Sequence, residues 1–121
     1  MKCATIILAG IAAVTLSGTA FAHHSFARFD SDTIVEIEGT VKELRWTNPH
    51  AWLFMVVTDA GGQATEWSFE MTSPAGLARN GWRPDTVTSG DKITVRAHPM
   101  RDGSSVGQFQ SATLPDGQIL R

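Results

Sequence analysis

The sequence predicts a small, mostly β domain, and three observations lead to this prediction. Apolar and polar residues alternate along 35–42 and again along 65–71, with the period of a strand that has one buried face. The stretch 51–57 is apolar on both faces, which suits a strand covered on both sides. Glycine and proline turns separate these stretches from two further apolar segments, and one short segment carries helix start and stop signals.

The first 22 residues have the layout of a secretory signal peptide. Lys2 precedes an apolar run that ends at Leu16, and small residues follow as far as Ala22. The run is shorter than the roughly 20 residues that a permanent membrane helix needs, so an uncleaved anchor is the weaker alternative. We therefore expect cleavage after Ala22, a periplasmic protein that begins at His23, and no integral membrane segment after cleavage.

The mature chain of 99 residues is large enough for one domain, which we expect to span 23–121 with an N-terminal arm at 23–32. The single cysteine, Cys3, lies in the signal, so the mature chain has no disulfide, thiolate metal site or cysteine nucleophile. Lys2 is the only charged residue of the signal, which leaves 9 basic and 12 acidic residues. This mildly acidic balance argues against a nucleic-acid partner.

The first predicted strand contains two irregularities. Gly39 lies in its middle, where a bend or a close backbone approach is the usual reason for glycine. The alternation slips at Glu43-Leu44, which a β-bulge would explain. In the third strand Trp67 and Phe69 are expected on the inner face, and Glu70 could pair with Arg79 of the following helix.

The helix is predicted near 74–80 between the third and fourth strands. Ser73 is the expected N-cap, Pro74 takes the first helical position and Gly81 ends the helix. Trp82 is then expected to return to the core. Strands ending near His98 and covering 108–114 follow, and a turn at 115–117 would pair a short tail with the last strand.

This order of elements is typical of an OB-fold, a five-stranded antiparallel barrel whose bent first strand serves both halves. The sequence pattern also allows another small β-sandwich or open barrel with the same number of strands.

The corner between the first two strands, Trp46-Thr47-Asn48-Pro49-His50, is the candidate ligand site. We expect Trp46, Asn48, His50 and Trp52 to bind a ligand there, because an OB barrel often binds on a face that carries exposed aromatic residues. The alternatives are structural: tryptophans in so small a barrel are commonly core, Asn48 and Pro49 can simply form the turn, and His50 can hydrogen-bond its backbone.

Four histidines are the candidate metal ligands: His23, His24, His50 and His98. After cleavage, His23 offers an imidazole and an α-amino group with a pKa of about 8. A third nitrogen from another histidine would complete a site suited to Cu(II), so copper is the candidate cofactor. The alternative is that the two terminal histidines are merely polar, since chain termini are commonly loose.

Several short motifs together resemble a family of small exported bacterial proteins that is described only as a domain of unknown function. They are His24-Ser25-Phe26, Trp46-Thr47-Asn48-Pro49-His50, Trp67 with Glu70, Leu77-Ala78-Arg79-Asn80-Gly81-Trp82, Gly90-Asp91 and His98-Pro99. The likeness covers essentially the whole mature chain. It implies export and a shared β fold, and it implies no activity.

Three functions remain as hypotheses. The first is a periplasmic module that binds a small molecule or a protein partner at the corner. The second is a copper-binding or copper-trafficking protein that uses His23, His24 and His50, and the third and weakest is a metal-dependent oxidative enzyme. The sequence has no Ser-His-Asp order, carboxylate dyad or phosphate loop, so we predict no catalytic residues.

Overall fold

The structure, a computed structural model, describes residues 27–121. The predicted signal peptide and the arm residues His23, His24 and Phe26 lie outside the described residues. Within 27–121, no helix has the length and apolar character that a membrane span requires.

Six strands and one helix follow one another in the chain: β1 Val35–Arg45, β2 Trp52–Thr58, β3 Ala64–Glu70, α1 Pro74–Arg79, β4 Lys92–Pro99, β5 Val106–Thr113 and β6 Ile119–Leu120. The first five strands form a closed barrel in which β1 pairs with β2 and β4, β2 with β3, and β4 with β5, all antiparallel. A parallel pair between β3 and β5 closes it. The predicted five-stranded barrel with one helix between β3 and β4 is confirmed, and its closing pair is parallel.

Strand β1 serves both halves of the barrel, as predicted. Its first half pairs with β4 and its second half with β2, and the two pairings meet at Thr40. Gly39 stands at this bend because a Cβ atom there would lie 2.8 Å from the carbonyl oxygen of Val56. The bulge lies between Val41 and Glu43, slightly before its predicted position.

The helix closes against the core as its sequence signals predict. The Ser73 hydroxyl accepts a hydrogen bond from the Gly76 backbone N–H at 3.2 Å, and Gly81 has a φ of +92° just after the helix. Leu77 is buried in the core cluster, and Trp82 is fully buried. The Trp82 ring meets Phe109 edge-on, with ring centroids 5.5 Å apart.

The described part of the arm is fixed to the end of β4. Phe29 is 3% exposed and forms an isolated bridge with Met100. The Asp30 N–H donates to the Pro99 carbonyl at 2.8 Å, and the Arg101 N–H donates to the Arg28 carbonyl at 2.9 Å. Phe29 therefore holds this segment on the barrel.

Candidate functional site

A row of side chains crosses the outer surface of the barrel on four neighbouring strands. The strand register aligns Trp52 with Glu70, Glu70 with Gln108, and Gln108 with His98. Residues opposite one another in a sheet project from the same face, and each of these four has a buried neighbour in its own strand. The row therefore lies outside the core, and it depends on the parallel pairing of β3 with β5.

A small cleft opens beside this row, below the corner between β1 and β2. Its volume is about 160 Å³, and it is lined by His50, Glu70, Met71, Thr72, Gln108 and Phe109. We call it the corner cleft. Sites that enclose a drug-sized ligand are commonly about 300–1,000 Å³, so the corner cleft is sized for a small ligand or for one terminal group of a larger one.

Backbone pairing positions His50 over the end of β3. The Ala51 N–H donates to the Thr72 carbonyl at 3.1 Å, and the Met71 N–H donates to the Ala51 carbonyl at 2.9 Å. The Asn48-Pro49 peptide bond is cis. Thr47 closes the corner by donating its hydroxyl hydrogen bond to the His50 carbonyl at 3.3 Å.

Among residues 27–121, the ring of His50 makes a hydrogen bond through one of its two nitrogens. Its Nδ1 lies 2.9 Å from the carbonyl oxygen of Met71. Because a carbonyl oxygen can only accept a hydrogen bond, Nδ1 carries the hydrogen in this contact. In the neutral ring the lone pair is then on Nε2, which can accept a hydrogen bond or bind a metal ion.

Glu70 connects the corner cleft to the arm. Its side chain is 13% exposed, Oε2 accepts a hydrogen bond from Nη2 of Arg28, and Oε1 lies 3.9 Å from Nδ1 of His50. The candidate pairing of Glu70 with Arg79 is wrong, because the guanidinium that reaches Glu70 comes from the arm rather than from α1.

The structure brings one of the four predicted ligand-binding residues into the corner cleft, and that residue is His50. Trp46 is half-buried and packs against the core, while Asn48 is exposed in the corner. Trp52 is half-buried on the outer row, beside Glu70, and its ring stacks on Phe54 with centroids 6.4 Å apart.

The predicted metal ligands are only partly described. His23 and His24 lie outside the described residues. Nδ1 of His98 lies 2.7 Å from the Thr33 carbonyl, so the lone pair of this neutral ring is also on Nε2. Between residues 27 and 121, no three His, Cys, Asp or Glu side chains are grouped closely enough to hold a metal ion.

A second set of contacts orders the turn that follows the arm. The Asp30 carboxylate accepts hydrogen bonds from the Thr33 hydroxyl at 2.8 Å and from the Asp32 N–H at 3.2 Å. These hydrogen bonds, with a smaller contribution from Arg101, lower the pKa of Asp30 below its ordinary value of 3.8.

Five of the six lining residues could not be assigned to the site from the sequence. They are Glu70, Met71, Thr72, Gln108 and Phe109. They come from the end of β3, the segment after it, and β5. Their meeting follows from the register of Glu70 with Gln108, for which local sequence patterns carry no signal.

Comparisons of the chain with known proteins gave one family. A search of curated proteins found no match, and a search of solved structures also found none. A model of a family of unknown function matches residues 12–110, which include the corner, the helix and most of the barrel. On this match, the chain belongs to the family of unknown function DUF6152.

Proposed function

We propose that this protein is a periplasmic binding module whose corner cleft receives a small molecule or one small group of a protein partner. The observation that carries the proposal is the convergence of four polar residues beside an apolar surface. The polar residues are His50, Glu70, Thr72 and Gln108, and Met71 and Phe109 line the same cleft. Binding sites for small ligands commonly combine apolar walls with a few placed polar groups.

The surroundings of the corner cleft support a ligand that extends beyond it. The cleft lies where the loop between β1 and β2 meets the end of β3, and OB barrels often bind ligands at this loop and on the adjoining face. Trp52 and Phe54 lie on that face with their rings stacked. A terminal group in the cleft would leave the rest of the ligand over these rings.

Two histidine variants test the proposed site. We expect His50→Ala to weaken the binding of a small ligand by about tenfold or more, because a hydrogen bond to the ring is lost from a partly enclosed site. Isothermal titration of the mature protein with small fragments measures this affinity. His98→Ala is the matched control, because its Nδ1 also contacts a carbonyl while its ring does not line the corner cleft. Equal losses in both variants would contradict the proposal.

Copper binding is the second candidate, and the contact between His50 and Met71 favours it. Metal-bound histidines usually donate their other ring N–H to a carbonyl or carboxylate, and the contact of His50 Nδ1 with the Met71 carbonyl has this arrangement. Arg28 ties the arm to the corner cleft through Glu70. His24 precedes Arg28 by four residues, a length of chain that spans at most about 14 Å.

This candidate is tested on protein purified from the periplasm. Mass spectrometry should find His23 as the first residue, and elemental analysis should find about one copper per chain. The electron paramagnetic resonance spectrum of the bound copper should then show one nitrogen ligand fewer in His50→Ala than in the wild type. The spectrum of His98→Ala should show the same number as the wild type. If the mature chain begins at another residue, it cannot chelate copper through the α-amino group and imidazole of His23. If copper binds but the protein turns over neither oxygen nor peroxide, the oxidative-enzyme hypothesis has no support.

A further inference from the structure

We infer that the corner cleft recognises a small organic cation, a guanidinium or alkylammonium group, and that Arg28 is the chain's own competitor for the same carboxylate. This inference rests on the proposed function, because it names the chemical class of ligand for that cleft. It follows from the donors and acceptors in the cleft, from the exposure of Arg28 and from the apolar surface.

The polar groups of the corner cleft are biased towards accepting hydrogen bonds. Glu70 is the one carboxylate in the lining, and an ionised carboxylate only accepts. The Nε2 atom of His50 also accepts, because Nδ1 is committed to the Met71 carbonyl. The Gln108 amide and the Thr72 hydroxyl can each accept as well as donate. A ligand group with several N–H donors and a positive charge satisfies such a set.

Arg28 demonstrates this recognition within the chain. One terminal nitrogen of its guanidinium contacts Oε2 of Glu70, while Oε1 remains on the side of His50. The Arg28 side chain is 43% exposed and Glu70 is 13% exposed, so the cation is at the surface and the carboxylate is sheltered. Surface ion pairs contribute little because water competes for the exposed partner. A second guanidinium can therefore displace Arg28 at low cost.

Other ligand classes fit the corner cleft less well. An anion would face the carboxylate of Glu70 without a charged donor in the lining. A metal ion lacks three grouped ligands among the residues that the structure describes. Met71 and Phe109 line the same cleft, and they can pack against the alkyl part of an organic cation or the flat face of a guanidinium.

The test compares three probes of similar size on the mature protein: ethylguanidinium, propionate and propionamide. We expect ethylguanidinium to shift the nuclear magnetic resonance signals of cleft residues. Its affinity should rise by about two- to fivefold in Arg28→Gln, since removing a surface competitor of this kind is a small effect. Arg28→Lys keeps the charge and should stay near wild type. Glu70→Gln should weaken binding by about tenfold or more.

Glu66→Gln is the matched control, because Glu66 lies on the same strand and pairs with Lys42 at the surface. It should leave the affinity for ethylguanidinium unchanged. A lower or unchanged affinity in Arg28→Gln would overturn the inference, as would tighter binding of propionate. If propionate or propionamide alone shifts the cleft signals, the proposed function stands and this inference fails. If none of the three probes shifts them, both fail.

Discussion

Two histidines of this barrel are held in the same way and differ in what lies beside them. His50 and His98 each direct Nδ1 to a backbone carbonyl, at 2.9 Å and 2.7 Å. The shared contact fixes the ring and leaves Nε2 unprotonated in the neutral form. Of the two, only His50 lines the corner cleft, so His50 is a candidate binding residue and His98 is not.

The tautomer of these rings is directly measurable. Because the Met71 and Thr33 carbonyls require an N–H donor, we expect both neutral rings to carry hydrogen on Nδ1. Nitrogen-15 chemical shifts of the two imidazoles, measured at alkaline pH where histidine rings are neutral, report this. A His50 ring protonated on Nε2 instead would contradict the geometry on which both proposed functions depend.

Asp30 should make the stability of the arm turn sensitive to acid. Hydrogen bonds from Thr33 and Asp32 lower its pKa in the folded state below 3.8. The unfolded state then binds the proton more tightly, so this contribution is fully present above the unfolded pKa and is lost as the pH falls through the folded value.

Urea unfolding of the wild type and of Asp30→Asn between pH 2 and pH 6 measures this contribution. We expect the variant to be less stable near pH 6 and the difference to shrink below about pH 4. Asp32→Asn is the control, because Asp32 contributes its backbone N–H to the turn. A pH-independent difference would show that Asp30 acts through something other than its charge.

Trp82 and Trp67 are buried to different degrees, so we expect their truncation to cost different amounts of stability. Trp82 is fully buried, so Trp82→Ala should cost about 3–5 kcal/mol in the free energy of unfolding. Trp67 lies on the inner face of β3 as predicted, where it is half-buried, packs against the core and stacks its ring on Phe69. Trp67→Ala should therefore cost less, about 1–3 kcal/mol. Chemical unfolding of both variants checks the order, and a larger loss for Trp67→Ala would contradict it.

At the scale of elements, the bend of β1 allows one strand to serve both halves of the barrel. Gly39 stands where β1 passes from β4 to β2. A Cβ atom at this position would lie 2.8 Å from the Val56 carbonyl oxygen and 3.0 Å from two side-chain carbons of β2. The close contact between β1 and β2 at this bend therefore requires glycine at position 39.

Gly39→Ala should destabilise the barrel by about 1–3 kcal/mol, because the backbone of β2 must shift to admit the methyl group. Thermal and urea unfolding measure the loss. Gly61→Ala is the control, since the nearest atom to its added Cβ is 3.4 Å away in an exposed turn. Equal stability of Gly39→Ala and the wild type would mean that the two strands are not in close contact.

Features set by neighbouring residues could be predicted from the sequence, and features set by distant ones could not. The alternation in β1, the cap at Ser73 and the return of Trp82 to the core are local or nearly local, and all are confirmed. Glu70 and Gln108 are 38 positions apart in the chain, and they meet because of the register between β3 and β5. No pattern in the sequence near either residue predicts that register. The same reason explains why Arg79 was the expected partner of Glu70 when Arg28 is the actual one.

At the scale of the whole molecule, the corner cleft exists only because the barrel closes. The corner supplies His50, the end of β3 supplies Glu70, and β5 supplies Gln108 and Phe109. The arm adds Arg28 from a fourth part of the chain. A candidate binding site therefore stands where the parallel pair of β3 and β5 meets the loop between β1 and β2.

The location of a bound ligand is the most direct test of the corner cleft as the binding site. Nuclear Overhauser effects between ethylguanidinium and the isotopically labelled protein report which protons lie close to the ligand in the bound state. We expect contacts to the Met71 methyl group and to the Phe109 ring, the two apolar groups of the corner cleft. Contacts confined to Trp46 or to the stacked rings of Trp52 and Phe54 would contradict it.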